Sequence, residues 1–300
     1  MNSFSVVGLG EVLWDILPAG PQLGGAPANF AYISSLLGHR AFVASCVGAD
    51  GLGSKATTTL QNLGVVTSHL QSHPQHPTGT VQVRLDENGQ AEFEILPYVA
   101  WDFLQWTVEW QQLALACDAV CFGSLAQRSS ASRNTIQNFL KTTRAAAVRI
   151  FDVNLRQSFF SGEILRRSFE LADIVKLNHE ELPRVARAFG LGYESDQHAA
   201  ALLRAEYDLD LLCVTRASAG SLLVSPDEMD DHPGFQVKVV DTVGAGDAFT
   251  AGLVHEYLRH STLHEMNETA NRLGAWVASQ SGATPKPPVG GLAPVLAAFT

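Results

Sequence analysis

Short runs of almost uninterrupted apolar residues recur along the chain, and stretches with helical periodicity separate them. Continuous runs of this length are typical of strands buried on both faces of a parallel sheet. Several of the intervening stretches end at a glycine (Gly38, Gly64 and Gly190), the commonest residue just after a helix. This order predicts an α/β fold with a doubly wound, mostly parallel sheet covered by helices on both faces. The apolar runs are residues 4–9, 41–47, 119–122, 149–153, 174–177 and 209–214.

One segment departs from this pattern and alternates apolar with polar residues. Alternation runs through residues 78–86, a turn-like Asp-Glu-Asn-Gly follows at 86–89, and residues 91–95 alternate again. The pattern predicts a β-hairpin with one apolar and one polar face, which projects from the parallel sheet. An edge hairpin without a function of its own is the alternative. The apolar positions are Val81, Val83, Leu85, Ala91, Phe93 and Ile95.

The length and composition are those of a globular α/β protein. The 300 residues contain no linker rich in Pro, Gly or Ser and no internal repeat, so we expect one domain over residues 1–300. A hydrophobic fraction of 46% is enough for a full core. No apolar run approaches ~18 residues, so no membrane span is expected. Residues 1–15 lack the pattern of a secretory signal, which favours the cytoplasm.

The net charge of −10 disfavours nucleic acid and anionic membranes as partners. Binding of an anionic nucleotide therefore has to depend on local amides, basic side chains and metal. The cysteines form no Cys-x-x-Cys pair and lie in apolar, strand-like surroundings, so we expect reduced core residues and not zinc ligands or disulfides. They are Cys46, Cys117, Cys121 and Cys213.

The strongest functional signal is the glycine-rich segment 241–249, Asp-Thr-Val-Gly-Ala-Gly-Asp-Ala-Phe. A predicted strand at residues 235–240 leads into it, and a predicted helix at residues 248–260 leads out. Gly244 and Gly246 free the turn from Cβ clashes, so backbone amides can point at one spot. Because that spot lies at a helix N-terminus, it is suited to bind an anion.

Asp247 lies beside this predicted anion site, at the start of the helix. A carboxylate in that place is suited to take a proton from a hydroxyl that attacks a phosphate. Near the positive end of the helix dipole, we expect it to stay ionised at neutral pH. The alternative is an ordinary glycine-rich turn in which Asp247 is a helix N-cap.

A second group of polar residues lies near the N-terminus. Residues 10–15 read Gly-Glu-Val-Leu-Trp-Asp, and a Gly24-Gly25 turn precedes Asn29 at the start of a predicted helix. Asp15 and Asn29 can both hydrogen-bond the hydroxyls of a polyol. The two glycines allow that polyol to approach the backbone.

Together, these two groups resemble the ribokinase-like (PfkB) carbohydrate kinase family. Residues 24–29 and 47–53 look like the N-terminal signature of the family, and residues 241–249 look like its C-terminal signature. The resemblance extends from about residue 6 to residue 285. Within the family, the likeness is greatest to fructokinases. It is carried by residues 10–15, 77–81, 99–102 and 152–156.

The resemblance implies an ATP-dependent sugar kinase, which transfers the γ-phosphoryl group of Mg·ATP to a sugar hydroxyl, with fructose converted to fructose 6-phosphate. Another sugar, a sugar acid or a nucleoside is the alternative acceptor. A catalytically weak sugar-sensing protein on the same fold is a second alternative, against which the intact Asp247 and both glycines argue. The resemblance also implies a small β lid over the sugar, with strands at about residues 11–22 and 78–100, and a candidate homodimer surface on that lid.

Roles for individual residues follow from the same resemblance. Asp247 is the expected catalytic base, with Gly244, Ala245 and Gly246 in the anion hole. The guanidinium of Arg156 suits a phosphate or the polar end of the sugar, and a surface salt bridge is the competing interpretation. The residues expected to bind the sugar are Asp15, Gly24, Gly25, Asn29 and Arg156.

The resemblance further implies a nucleotide site. Glu181 is expected to bind Mg²⁺ through water, which suits an ion that keeps its hydration shell, and Asn178 as a cap of the next helix is the alternative to a phosphate-binding role. Asp241 is a candidate ligand of a monovalent cation, K⁺. Ala217 stands where the family usually has glycine, so a positive φ there strains it by roughly 1 kcal/mol. The expected nucleotide residues are Asn178, Glu181, Thr215, Gly220 and Asn271.

Overall fold

Strands and helices alternate along the computed structural model, which describes residues 3–17, 20–85 and 91–297. The strands are β1 (Ser5–Leu9), β2 (Leu13–Leu17), β3 (Gly20–Gly24), β4 (Arg40–Gly48), β5 (Leu70–His73), β6 (Gly79–Leu85), β7 (Ala91–Ile95), β8 (Ala119–Gly123), β9 (Val148–Asp152), β10 (Ile174–Asn178), β11 (Leu211–Thr215), β12 (Ser221–Val224) and β13 (Met229–His232). The α-helices are α1 (Ala26–Leu36), α2 (Gly51–Asn62), α3 (Val108–Ala116), α4 (Ser130–Thr142), α5 (Gly162–Leu171), α6 (Glu181–Phe189), α7 (Asp196–Glu206), α8 (Ala245–Tyr257), α9 (Leu263–Ala278) and α10 (Ala293–Ala297). None of the helices in these described ranges is long and apolar enough to cross a membrane.

The larger of two sheets has nine strands in the order β13-β12-β11-β10-β9-β8-β1-β4-β5. The seven strands from β11 to β5 in this order are parallel. At the other edge, β12 and β13 pair antiparallel. All six apolar runs of the sequence lie in the parallel strands. The predicted doubly wound, mostly parallel sheet is therefore confirmed.

Helices cover both faces of this sheet, and successive strand residues point into opposite cores. In β8, Val120 and Phe122 belong to one buried cluster, while Ala119 and Cys121 belong to the other. Helices α3 to α7 pack into the first cluster, and α1, α2 and α8 to α10 pack into the second. The four cysteines are buried free thiols within these cores, as the sequence predicted.

The smaller sheet has four strands in the order β3-β2-β6-β7. Strands β6 and β7 form the antiparallel hairpin predicted from the alternating pattern. Asp15 pairs with Val81, and Val81 pairs with Ile95, so the three residues share one face. Val81 and Ile95 are buried there. The small sheet that was predicted is therefore present, and its role as a lid stays a prediction; the predicted turn at 86–89 lies outside the described residues.

The predicted strand at residues 235–240 is wrong. The segment pairs with no strand of the described chain. The N–H groups of Val240 and Asp241 donate instead to the carbonyl of Ala278 at the end of α9, at 2.9 and 3.3 Å. Val237 and Val239 of this segment line a cleft, and Val239 is 57% exposed.

Candidate active site

The polar residues singled out from the sequence collect at one edge of the larger sheet, where its parallel strands end. Asp152 ends β9, Asn178 ends β10 and Thr215 ends β11. The first turns of α1 and α8 meet at the same edge, where Asn29 contacts Asp247. Ligand sites of open α/β sheets lie outside the carboxyl ends of the strands, so the sheet brings the predicted residues to the expected place.

The backbone directly before α8 requires a glycine at position 244. Gly244 has a φ of 79° and is the N-cap of α8. A Cβ on this residue would lie 2.5 Å from the Cβ of Ala283. Since α8 begins at Ala245, Asp247 lies in its first turn, as predicted. Unpaired N–H groups and the positive end of the helix dipole favour negative charge at this point.

Not every amide of this turn is free for an anion. The N–H of Val243 donates to Asp241 Oδ1 at 3.0 Å, and that of Ala245 donates to a carbonyl within the turn at 3.2 Å. The amide of Ala245, which was expected in the anion hole, is therefore engaged in the turn itself. The following N–H groups, those of Gly246 and Asp247, have no intrahelical acceptor in an α-helix.

Asp247 is held by an amide from the neighbouring helix. The Nδ2 of Asn29 donates to Asp247 Oδ2 at 2.7 Å. Asn29 is 4% exposed, and its Oδ1 has no hydrogen-bond partner among the described residues. The contact joins the two polar groups that were predicted separately, and it orients the carboxylate.

The pKa of Asp247 is raised to about 6. Burial is the largest cause and the negative charge of Asp152 adds to it, whereas the hydrogen bond from Asn29 and the charges of Lys176 and Arg156 oppose it. A carboxyl group with this pKa is mainly ionised at pH 7, as expected, but the shift is upward because burial outweighs the helix dipole. A pKa near the working pH suits a general base.

Gly24 and Gly25 let the backbone approach two carboxylate residues closely. A Cβ on Gly24 would lie 2.7 Å from Asp15 Oδ2. A Cβ on Gly25, whose φ is 107°, would lie 2.5 Å from the carbonyl oxygen of Glu11. Asp15 is half-buried in β2; burial raises its pKa, and the charge of Arg156 opposes that shift. Gly25 is thus required by its positive φ and its close approach to the backbone of Glu11, whereas the short contact of Gly24 is with the movable end of the Asp15 side chain.

Arg156 lies in the loop after β9 and is exposed. Its charge opposes the upward pKa shifts of Glu11, Asp15 and Asp247, so it lies near all three carboxyl groups. Within residues 3–17, 20–85 and 91–297, no carboxylate forms an ion pair with it. The structure therefore places Arg156 at the mouth of the site and not in a surface salt bridge.

Sequence reasoning missed Glu11, a third carboxyl group at this edge. It follows β1 and is 3% exposed, and its Oε2 has no partner in the described part of the chain. Burial raises its pKa to about 7, a backbone hydrogen bond opposes the shift, and the charge of Asp247 adds to it. The signal was present in the sequence, because a glutamate directly after a buried strand stands at the ligand-binding edge of a parallel sheet.

A buried ion pair beneath the turn was also missed. Lys176 Nζ donates to both carboxylate oxygens of Asp152, at 3.0 and 2.9 Å. Thr250 Oγ1, on α8, donates to Asp152 Oδ2 at 2.9 Å. Burial works against the ammonium of Lys176, but the charges of Asp152 and Asp247 outweigh it and raise the pKa of Lys176. Charged residues inside the apolar runs 149–153 and 174–177 were the available signal.

A cleft of about 570 Å³ opens beside the first turn of α8, between α9 and the ends of β10 and β11. Four of the five predicted nucleotide residues line it, together with Gly246 of the turn. Glu181 does not. The predicted residues in its lining are Asn178, Thr215, Gly220 and Asn271, and the apolar walls include Phe235, Val237, Val239, Phe249, Ala275 and Ala278.

Asn178 and Glu181 cap α6 reciprocally. Asn178 Oδ1 accepts from the N–H of Glu181, and Glu181 Oε2 accepts from the N–H of Asn178, both at 2.9 Å. The other carboxylate oxygen, Glu181 Oε1, accepts from the N–H of Leu155 at 2.7 Å. Asn178 thus has the capping role that was the alternative, and the pKa of Glu181 is raised by its burial. Each carboxylate oxygen keeps a further lone pair for a water molecule.

The turn after β11 has the strained backbone anticipated from the sequence. Ala217 has a φ of 50°, a left-handed conformation that favours glycine. Gly220 has a φ of 79°, and a Cβ there would lie 1.9 Å from the carbonyl oxygen of His232. On the facing helix, the Nδ2 of Asn271 donates to Ser221 Oγ at 2.7 Å, so its amide nitrogen is held inside the protein.

Asp241 links the anion turn to the loop after α9. Its Oδ1 accepts from Val243, and its Oδ2 accepts from the N–H of Gly282 at 3.0 Å. Among the described residues, no group of three or more His, Cys, Asp or Glu side chains could hold a metal ion. A hydrated Mg²⁺ carried by nucleotide phosphates needs only one or two carboxylates from the protein, and the free lone pairs of the Glu181 carboxylate would allow a contact through water.

A positioned carboxylate at a helix N-terminus, next to a large cleft, is the arrangement expected of a phosphotransferase. The fold and the sequence agree on which one. The chain belongs to the pfkB family of carbohydrate kinases, whose family model matches residues 21–289. It is therefore a sugar kinase of the PfkB family, and the predicted family and fold are confirmed.

Individual relatives agree with this assignment. Fructokinase of Salmonella typhimurium is 34% identical over 257 residues, which cover 82% of each chain. The structure of fructokinase from Vibrio cholerae O395 in its fructose, ADP and calcium ion bound form matches with a TM-score of 0.81 and 28% identity, over 99% of this chain and 98% of that one. The uncharacterised sugar kinase PH1459 from Pyrococcus horikoshii in complex with ATP matches with a TM-score of 0.78 and 27% identity, over 93% of both chains.

Proposed function

We propose that this kinase transfers the γ-phosphoryl group of ATP to the 6-hydroxyl of fructose, giving fructose 6-phosphate and ADP. The observation that carries the proposal is the setting of Asp247, a mainly ionised carboxylate oriented by Asn29 at the helix N-terminus beside the cleft. The relatives named as fructokinases support fructose as the acceptor. The neighbour bound to ATP supports ATP as the donor.

Asp247 acts as the general base in this reaction. It accepts the proton of the 6-hydroxyl while the new O6–Pγ bond forms and the bond from Pγ to the β–γ bridging oxygen breaks. The bridging oxygen leaves with ADP, and the proton stays on Asp247. The amides of Gly246 and Asp247 stabilise the negative charge of the transferred group. Phosphoryl transfer depends mainly on such positioning and charge stabilisation.

The acceptor side of the site is acidic, which favours a neutral sugar. Glu11, Asp15 and Asp247 lie near one another, and Arg156 is the cation whose charge acts on all three. A sugar acid would bring a further negative charge into this group, whereas the hydroxyls of fructose can donate hydrogen bonds to carboxylates. We assign sugar binding to Asp15, Gly24, Gly25, Asn29 and Arg156.

The cleft is the proposed nucleotide site. Its volume of about 570 Å³ is in the range of ordinary ligand pockets. When bound, Mg²⁺ supplies positive charge to the phosphates. We assign its contact with the protein to Glu181 through a water molecule, and we propose Asp241 as a K⁺ ligand. The nucleotide itself contacts Asn178, Thr215, Gly220 and Asn271.

We also propose one domain over residues 1–300, in which the small sheet closes over the sugar. Closure would exclude water and limit wasteful hydrolysis of ATP. Asp15 lies on the same face of the small sheet as Val81 and Ile95. This placement supports a lid whose inner face reaches the sugar. We propose that the same sheet carries a homodimer surface, and that the protein works in the cytoplasm.

A coupled ADP-release assay with Mg·ATP tests the proposal over fructose, ribose, adenosine and a sugar acid. Fructose is expected to give the largest kcat/KM. Turnover of ribose, adenosine or the sugar acid well above that of fructose would show that fructose is not the preferred acceptor. The assignment as a kinase would stand. Replacing Na⁺ by K⁺ in the same assay tests Asp241, since an occupied cation site predicts a higher kcat.

A further inference from the structure

The buried cluster of Asp152, Lys176 and Thr250 lies directly against the first turn of α8. Thr250 Oγ1 is 3.0 Å from the carbonyl oxygen of Gly246, in addition to its contact with Asp152. A Cβ placed on Gly246 would lie 3.0 Å from Lys176 Nζ. The cluster therefore supports, from the sheet side, the turn that we assign to the transferred phosphoryl group.

Stability alone does not account for this cluster. Asp152 and Lys176 are 4% and 7% exposed. Taking two charges out of water costs about as much free energy as their attraction returns, so a buried ion pair is weak evidence for stability. Lys176 lies inside the mainly apolar strand β10, and Asp152 is the last residue of β9. A role in the adjoining site explains the position of the pair.

We infer that Asp152, Lys176 and Thr250 are positioning residues of the phosphoryl-transfer site: they hold the first turn of α8 against the sheet and balance the charge around Asp247. The inference rests on the proposed function, because it assigns these residues to the same site. The three side chains act on the reaction through Gly246 and Asp247 and do not contact the substrates.

The charge balance has two opposing halves. After burial, the charge of Asp152 is the main cause that raises the pKa of Asp247, whereas the charge of Lys176 lowers it. Within this ion pair, Asp152 therefore favours the protonated form of Asp247, and Lys176 favours its ionised form. Around Asp247, the charged and titratable groups are Glu11 after β1, Cys121 in β8, Asp152 in β9, Arg156 after β9 and Lys176 in β10, and Asn29 on α1 donates a hydrogen bond.

The electrostatic test compares the wild type with three variants of the pair. Asp152→Asn removes the negative charge of the pair, and Lys176→Met removes its positive charge. The double variant removes both charges with little change of shape. Carboxyl-carbon NMR of protein labelled at aspartate follows the protonation of Asp247 in the full chain without substrate. The signal that disappears in Asp247→Asn identifies this residue.

Asp152→Asn is expected to lower the apparent pKa of Asp247, and Lys176→Met is expected to raise it, each by roughly one pH unit or more. The double variant is expected to titrate between the two. Shifts of both single variants in the same direction, or no shift in either, would overturn the inference. Should Lys176→Met fail to fold, the double variant decides, because it must titrate at a higher pH than Asp152→Asn.

The geometric half of the inference is tested at Thr250. Thr250→Val keeps the shape and removes the hydroxyl, so kcat is expected to fall by about tenfold or more, the usual weight of a hydrogen bond to a charged group. Binding of ADP and fructose is expected to stay unchanged, and Thr250→Ser is expected to restore most of kcat. Equal kcat in Thr250→Val and the wild type would show that Thr250 is not a positioning residue.

Failure of the proposed function is a separate outcome. If the wild-type enzyme phosphorylates none of the sugars tested, the assigned reaction is wrong. The NMR titration of Asp247 still decides whether Asp152 and Lys176 act on it in opposite directions, because that measurement uses no substrate.

Discussion

The surroundings of Asp247, our proposed phosphoryl-transfer centre, and the cleft, our proposed nucleotide site, are organised in opposite ways. Around Asp247, charged groups from several strands and a hydrogen bond from Asn29 act directly on the carboxylate. The cleft has largely apolar walls, and its amide side chains bond to other parts of the protein, as Asn178 does to α6 and Asn271 does to Ser221. A reacting carboxylate needs one fixed orientation, whereas a ligand pocket is usually mostly apolar with a few placed polar groups.

Asp247→Asn is the strongest way to separate the two regions. The asparagine has the same size and can still accept the hydrogen bond from Asn29, but it cannot take the proton. We expect kcat to fall by about 10²–10⁴-fold, the usual contribution of a positioned general base. Binding of ADP in the cleft and the melting temperature are expected to stay near the wild type. Gly244 and not Asp247 is the N-cap of α8, so a purely structural Asp247 would only hold the first turn to Asn29, and little loss of rate would then be expected because asparagine can keep that hydrogen bond.

Asp15→Ala addresses the sugar side of the transfer centre. Loss of charged hydrogen bonds to two sugar hydroxyls is expected to raise the fructose KM by about 10–100-fold, from roughly 1.5–3 kcal/mol of binding free energy. The KM for ATP is expected to change little. Asp227→Ala, in the exposed turn between β12 and β13, is the control for the loss of one negative charge. An unchanged fructose KM in folded Asp15→Ala would remove this residue from the site.

Ala217→Gly is the smallest change and affects only the cleft. Because Ala217 has a φ of 50°, glycine is expected to relieve roughly 1 kcal/mol of strain and to raise the melting temperature by about 2 °C. The kcat is expected to stay the same. Ala219→Gly is the matched control in the same turn; its backbone has no positive φ, so it should lose about 0.5–1 kcal/mol. Equal destabilisation by both variants would show that Ala217 carries no strain.

The fold was predictable where a segment's own residues decide its structure. Apolar runs, the alternating hairpin and the glycine at position 244 each carry their signal locally. The strand expected at 235–240 failed because a strand also needs a partner. The N–H groups of Val240 and Asp241 are taken by the end of α9, and no property of the segment itself shows that competition.

The site was predictable in its motifs and not in its supporting contacts. Asn29 and Asp247 are 218 positions apart, and Asp152 and Thr250 are 98 positions apart. Contacts at such separations appear only once the sheet brings the strand ends together. The upward pKa shift of Asp247 was missed for the same reason, because burial by distant elements determines it.

The pH dependence of kcat/KM for fructose, measured in the wild type and in Asp247→Asn, tests whether Asp247 is the base. The pKa of Asp247 is raised to about 6, so the carboxylate can accept a proton above that pH and loses this capacity as the pH falls through it. We predict full activity above about pH 7 and a decline of about tenfold per pH unit below pH 6. Glu11, with a pKa raised to about 7, broadens the transition. The residual activity of Asp247→Asn should lack this decline below pH 6. The same decline in both proteins would show that Asp247 is not the base.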